Sequence, residues 1–477
     1  MIYNLPRRHA VWPSDLDTAL EFSSANSFAI SAPKNWDGKI EYTNGNGWKM
    51  WDGSIIVSGE IKNNHCIYLR GIGNSKITGA TTDGTQWYIS GTNIACNGDV
   101  DLLLDYSTVK GGNHPSMAEF CYSYMFYGCK SLTAAPSLPA TTLANSCYSQ
   151  MFQGCTNLTT APSLPATTLA NYCYSYMFYG CTNLTTAPLL PATKLADYCY
   201  SYMFRNCAKL TTAPSLPATI LAGGCYNSMF QGCTNLTTAP SLPATTLANY
   251  CYSYMFYGCT NLTAAPSLPA TTLANSCYSY MFYGCTNLTT APSLPAAKLM
   301  YSCYNSMFEY CKSLVTAPLL PATTLASFCY KSMFGHCESL TTAPSLPVTE
   351  LMNSCYNSMF YDCINLTTAP SLPAAKLVDS CYNSMFYGCK SLTTVPSLPA
   401  TTLADYCYFD MFEYCKKIKL STTASGTYTK PYRIPKNGTG TTTSSALDNM
   451  FDQTGGTFTG TPTINTTYYL DESNTIV

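Results

Sequence analysis

Hydrophobic and polar positions along most of the chain recur with a period of 26 residues. Cys121, Cys147, Cys173, Cys199, Cys225, Cys251, Cys277, Cys303, Cys329, Cys355, Cys381 and Cys407 mark that period without an insertion. A second cysteine follows each of them, from Cys129 to Cys415, and the frame Cys-Tyr-x-x-Met-Phe-x-x-Cys is kept in every copy. At the ~100° per residue of an α-helix, the five frame positions share one face. Asn145, Asn171, Asp197, Asn249, Ser327 and Asp405 stand just upstream, where such residues cap a helix start. Gly128, Gly154, Gly180 and Gly232 fall where a left-handed residue ends one. The pattern predicts a short helix of about two turns in each unit. The next segment, as in Leu158-Thr-Thr-Ala-Pro162-Ser-Leu164-Pro165, suits a short strand: threonine favours extended backbone and each proline excludes its predecessor from the helical region.

One such coil cannot bury its apolar face alone, but stacked neighbours share a continuous core. Strands repeat at ~4.8 Å and packed helices at ~8–10 Å, so a stack with strands on one side and helices on the other must curve, strands inward. The expected fold is a curved α/β solenoid of about twelve 26-residue coils, each a short parallel strand plus a short helix.

The run Phe126-x-x-Cys129-x-x-Leu132, repeated through Phe386-x-x-Cys389-x-x-Leu392, resembles the BspA type of leucine-rich repeat. It is also similar to the 26-residue repeats of bacterial surface proteins, which share the Met-Phe pair. Cysteine stands where the BspA type usually has isoleucine, and methionine (Met125, Met151 and equivalents) where it usually has alanine. Both are core-compatible, so the resemblance still implies a leucine-rich-repeat-like array. The role it implies is surface attachment or recognition of a partner.

The chain's ends lack the repeat. All five tryptophans lie in the first 87 residues. Alternating runs there, such as Ser54-Ile-Ile-Val-Ser-Gly-Glu-Ile, read as strands of a β-sandwich-like domain. The expected organisation is a β-rich domain over 1–95, a capping coil over 96–120, the solenoid over 121–420 and a C-terminal cap over 421–477. In that cap Leu447-Asp-Asn-Met450-Phe451 keeps the Met-Phe pair, and Thr454 replaces the cysteine. Ile67-Tyr-Leu-Arg-Gly-Ile-Gly-Asn74 is similar to segments that precede such repeats in gut bacterial surface proteins. The opening Asn4-Leu5-Pro6-Arg7-Arg8 resembles the starts of prophage-encoded proteins.

Charge and composition narrow the function. Charged residues are only 10% of the chain and the net charge is −1, which gives no electrostatic footprint for nucleic acid. No apolar run approaches a membrane span, and no secretory signal is visible. The 26 cysteines admit three readings: buried thiols acting as core hydrophobes, disulfides between coils, or metal ligands. Spacing disfavours the last two, because two cysteines eight residues apart on a helix lie roughly 10–12 Å from each other. The six Asn-Leu-Thr sequons, from Asn157 to Asn365, read either as N-glycosylation acceptors or, the favoured reading, as repeat leucines that happen to lie between polar turn residues. The four histidines are scattered and no catalytic motif is present, so no enzyme activity, cofactor or metal is expected.

Tyrosine carries the candidate binding chemistry. Tyr172, Tyr176, Tyr179, Tyr198, Tyr202, Tyr250, Tyr254, Tyr257, Tyr280 and Tyr283 fall on the helix face opposite the frame. They either stack on one another or receive a partner, since a Tyr/Ser/Asn surface gives large contact area at small entropic cost. The rival surface is the threonine ladder Thr159, Thr160, Thr185, Thr186, Thr237 and Thr238, placed on the concave side. The expected partner is a protein or glycan on a cell surface, with the chain itself extracellular on a bacterium or virion. A second reading is a structural subunit that associates with its own copies.

Overall fold

The computed structural model describes residues 13, 15–33, 36–45, 47–61, 64–78, 86–436 and 445–477. Trp12, His9 and the prophage-like start at residues 4–8 lie outside them. The chain divides into two compact units, Met1–Ser215 and Leu216–Val477.

In the first unit, strands β1 (Leu20–Ser24), β2 (Ala29–Ser31), β3 (Ile40–Thr43), β4 (Lys49–Met50), β5 (Ile56–Val57), β6 (Gly59–Ile61), β7 (Asn64–Gly71), β8 (Tyr88–Ser90), β9 (Ile94–Asn97) and β10 (Leu132–Ala134) form two sheets. The larger runs β10-β9-β1-β7-β3-β4, with β6 also on β7, and the smaller runs β5-β2-β8. Strict alternation explains β1: Leu20 and Phe22 are fully buried, and Phe22 faces Ile67 on one side and Cys96 on the other. Trp36, Trp51 and Trp87 pack ring against ring beside these sheets. Because β9 pairs in parallel with β10, the larger sheet runs straight into the first coil of the array. The segment expected to be a capping coil holds α1 (Leu102–Lys110), the one α-helix among the described residues, interrupted by extended backbone at Asp105.

The repeats correct the expected helix. The frame segment is a run of tight turns whose amides alternate between two partners. In the first coil the amides of Phe120, Tyr122, Tyr124, Phe126 and Gly128 donate to Asn145, Cys147, Ser149, Met151 and Gln153 of the next coil. The intervening amides of Ser123, Met125, Tyr127 and Cys129 donate three residues back, to Phe120, Tyr122, Tyr124 and Phe126. Such a pattern needs a left-handed residue at every fourth position, and Phe120, Tyr124 and Gly128 supply it with φ of 60°, 63° and 69°. The same positions are left-handed in later coils, as at Tyr172, Tyr176 and Gly180 or Tyr250, Tyr254 and Gly258.

Hydrogen bonding between coils sets a strand-like spacing on this face, so the helix–strand difference on which the expected curvature rested is absent. The expected short strands shrink to single-residue parallel bridges, such as Thr160 to Thr186 to Thr212 in the first unit and Thr246 to Thr272 to Lys298 in the second. The two prolines of a coil, such as Pro162 and Pro165, lie between its two bridge positions, Thr160 and Thr168, and withhold the amides that a longer ladder requires. The core is as the frame implies. Its tyrosines form a buried column, with Tyr252 and Tyr278 stacked at 5.7 Å, and its phenylalanines a second one, with Phe152 and Phe178 at 5.6 Å.

Both ends of the array are closed by non-repeat chain. At the start, Ile77 and Trp87 donate their amides to the carbonyls of Cys121 and Met125, and Phe22 packs on Phe126. In the second unit β11 (Thr394–Val395), β12 (Leu420–Ser421), β13 (Tyr428–Arg433), β14 (Thr467–Asp471) and β15 (Thr475–Ile476) surround the last coils. There Met450 and Phe451 are fully buried, and Phe451 stacks on Phe412 at 5.5 Å. The amides of Tyr408 and Phe412 donate to Ala446 and Met450, so this degenerate unit continues the ladder. Beyond it, Phe451 and Gly460 exchange amide–carbonyl bonds and end the stack.

Candidate functional site

A left-handed residue turns its side chain away from the core, and this places the outward tyrosines. Tyr172, Tyr176, Tyr198, Tyr202, Tyr250, Tyr254 and Tyr280 all sit at such positions, with φ between 54° and 59°. Equivalent rings in adjacent coils lie face to face. Tyr172 and Tyr198 are 5.0 Å apart between centroids, and Tyr176 and Tyr202 are 4.3 Å apart and 7° from parallel. Tyr179 tilts against Tyr176, and the Arg205 guanidinium lies over Tyr179 and Tyr202. In the second unit Tyr254 stacks on Tyr280 at 4.7 Å and Tyr257 on Tyr283 at 4.5 Å. Tyr172 and Tyr250 are the most exposed of the set, and the others are half-buried. Burial first, then the neighbouring phenol of Tyr202, pushes the Tyr176 hydroxyl up to about 12, so it stays protonated.

The ladder continues further than the expected residues. Tyr283, Tyr310, His336, Tyr361, Tyr387 and Tyr414 contact one another in sequence over six coils, with centroids between 4.1 and 5.3 Å. The signal for them was an aromatic one or two residues before the second cysteine. Its register slips by one residue between coils, which hides it from a fixed-offset reading. Desolvation lowers the His336 pKa, although Asp362 lies 3.6 Å away and opposes the shift.

The threonines form a second, separate row. Thr159, Thr160, Thr185, Thr186, Thr237 and Thr238 are all exposed. Thr185 donates both its amide and its hydroxyl to the Thr159 carbonyl, so that hydroxyl is committed to holding adjacent coils together.

All 26 cysteines are buried, and no disulfide joins any two of them. The second cysteine of a coil has a role the sequence did not reveal. Its thiol donates to the frame phenylalanine carbonyl one coil back, as from Cys155 to Phe126 at 3.1 Å, Cys181 to Phe152 at 3.0 Å and Cys285 to Phe256 at 3.1 Å. Isoleucine at this position has no donor. Burial pushes the Cys181 thiol up to about 12, which suppresses the thiolate on which cysteine chemistry depends. Among the described residues no group of three His, Cys, Asp or Glu is placed to hold a metal ion.

Near the end of the second unit, Glu413 and Asp410 lie close to Asp448 and Asp452. Burial and then the Asp410 charge push the Glu413 carboxyl up to about 7. A carboxyl whose folded value is raised binds its proton more tightly in the folded state. Its contribution is therefore full below the unfolded value near ~4.3 and is lost as pH rises toward 7. We expect Glu413→Gln to flatten the fall in melting temperature between pH 5 and 7 relative to the parent protein; an unchanged slope would assign that fall to other groups.

A family model described as "BspA type Leucine rich repeat region (6 copies)" matches residues 113–237, 224–341 and 322–432. Among solved structures, the chain is similar to one titled "Crystal structure of TLR13-ssRNA13 complex", at 13% identity and a TM-score of 0.25. That alignment covers 63% of this chain and spans 40% of the other. No curated protein matches the chain.

Proposed function

Because this chain belongs to the BspA-type leucine-rich-repeat family, a group of protein-binding repeat proteins, we propose that it is a non-enzymatic adhesion or receptor-binding protein that works on a bacterial surface or a phage tail. The observation that carries this reading is the outward tyrosine ladder. It is uncharged over most of its length, half-exposed, and held rigid by hydrogen bonds between coils, so little entropy is lost when a partner docks.

Stacking also selects the partner. Within each pair a ring covers one face of its partner at 4.3–5.0 Å, so the pair presents fewer free faces than two isolated rings while keeping its edges. A sugar ring packs on an exposed aromatic face, whereas a protein surface can use edges and hydroxyls. The geometry therefore favours a protein partner over a glycan. The exposed threonines form a rival surface, although at Thr185 the hydroxyl is already engaged. Assembly by end-to-end stacking of copies has little support, since non-repeat chain closes both ends of the array. No helix among the described residues is long and apolar enough to cross a membrane.

The test is binding of the purified full-length chain to gut bacterial and host cell surfaces. Binding should fall at least tenfold, about 1.4 kcal/mol, in the variant Tyr172→Ser/Tyr176→Ser/Tyr198→Ser/Tyr202→Ser. The variant Thr159→Ser/Thr185→Ser should bind as the parent does. No binding by the parent, or equal binding by the tyrosine variant, would reject the proposal.

A further inference from the structure

Three tyrosine pairs share a geometry that partner binding does not require. Tyr176 and Tyr202, Tyr257 and Tyr283, and Tyr361 and Tyr387 lie 4.3, 4.5 and 4.4 Å apart, within 7° of parallel. Each pair joins two successive coils and is half-exposed. The buried core column provides a contrast within the same molecule. Its rings are also parallel but further apart, as at 5.8 Å between Tyr174 and Tyr200, and they are closed to solvent.

We propose that these outward pairs are sites of oxidative cross-linking, where a one-electron oxidant joins two tyrosines into a dityrosine that staples adjacent coils. Each phenol gives up one electron and one proton and becomes a phenoxyl radical. The two radicals join through a new bond between their Cε carbons, and the hydrogens on those carbons then move to the oxygens. The net loss is two hydrogen atoms, which a heme peroxidase passes to hydrogen peroxide to give two waters. Partial exposure lets water take up the departing protons and lets the rings rotate out of the face-to-face stack to form the bond.

Competing sinks are scarce in the array. All five tryptophans precede residue 88, and the frame methionines and all cysteines are buried. Burial holds thiols such as Cys181 and Cys259 protonated, and an oxidant needs the thiolate. The radical therefore settles on tyrosine.

The experiment treats the dilute full-length chain with a heme peroxidase and hydrogen peroxide, then reads dityrosine fluorescence and the masses of cross-linked peptides. The expected result is intramolecular links at Tyr176–Tyr202, Tyr257–Tyr283 and Tyr361–Tyr387, severalfold above any link in the buried column. Tyr202→Phe should abolish the first link and leave the other two, with circular dichroism unchanged. Absence of dityrosine, links only between molecules, or links placed mainly at other tyrosines would overturn the proposal.

Discussion

Phe256→Ala is expected to destabilise the array by about 3–5 kcal/mol, the usual cost of emptying a buried aromatic site. Phe256 is fully buried between Phe230 at 5.7 Å and Phe282 at 5.6 Å. Its backbone is as constrained as its ring. The amide donates to Met281, and the carbonyl receives both the Cys259 amide and the Cys285 thiol. Alanine keeps those bonds but leaves a void that flanking coils cannot fill, because their own turn ladders fix their spacing. Repeat arrays lose stability mainly between nearest neighbours, so the damage should be local. Hydrogen exchange should accelerate in residues 225–310 and much less near the C-terminal cap. A uniform acceleration across the chain would show that the coils unfold as one cooperative block.

Asp101→Ala is expected to cost about 1–3 kcal/mol, the penalty for leaving buried polar groups unpaired. Asp101 is fully buried where the non-repeat chain meets the first coil. One carboxylate oxygen receives the Tyr122 hydroxyl at 2.9 Å, and the other lies 3.2 Å from His114 Nδ1. Tyr122 heads the buried tyrosine column, stacked on Tyr148 at 5.3 Å. Without the carboxylate, its hydroxyl keeps only the Val100 carbonyl at 3.3 Å. Adding Tyr122→Phe removes that hydroxyl, so the double variant should recover part of the loss. Thermal melts of the parent, both single variants and the double variant form a cycle that isolates the pair. If the effects simply add, Asp101 acts through some other contact.

The tyrosine surface shows where reading the sequence works and where it stops. The frame residues were legible as one buried face, and the tyrosines between them as outward. Both follow from spacing, whichever turn the backbone takes. The element was not legible. A repeat every four residues advances roughly 90° per residue, close to the ~100° of a helix. Over nine residues the two sort side chains alike. The discriminating signal was slight: frame positions spaced by four throughout, with glycine four residues after a tyrosine, serine or glutamine at the left-handed sites. Gly128, Gly154 and Gly180 were read as left-handed, which is their conformation, but as the ends of helices. The tyrosines and serines at the same register gave no such hint, because left-handed backbone is uncommon for residues with a Cβ.

The sequence alone therefore determined the repeat, its period, the buried frame and the outward tyrosines, because each follows from side-chain polarity and spacing along one chain. Only the tertiary structure decided how each coil is bonded. Half the frame amides find their partners 25 residues away, and an isolated unit holds no information about that neighbour. The same stacking made hydrogen-bond donors of the second cysteines, brought tyrosines of successive coils face to face, and set Asp101 beneath Tyr122.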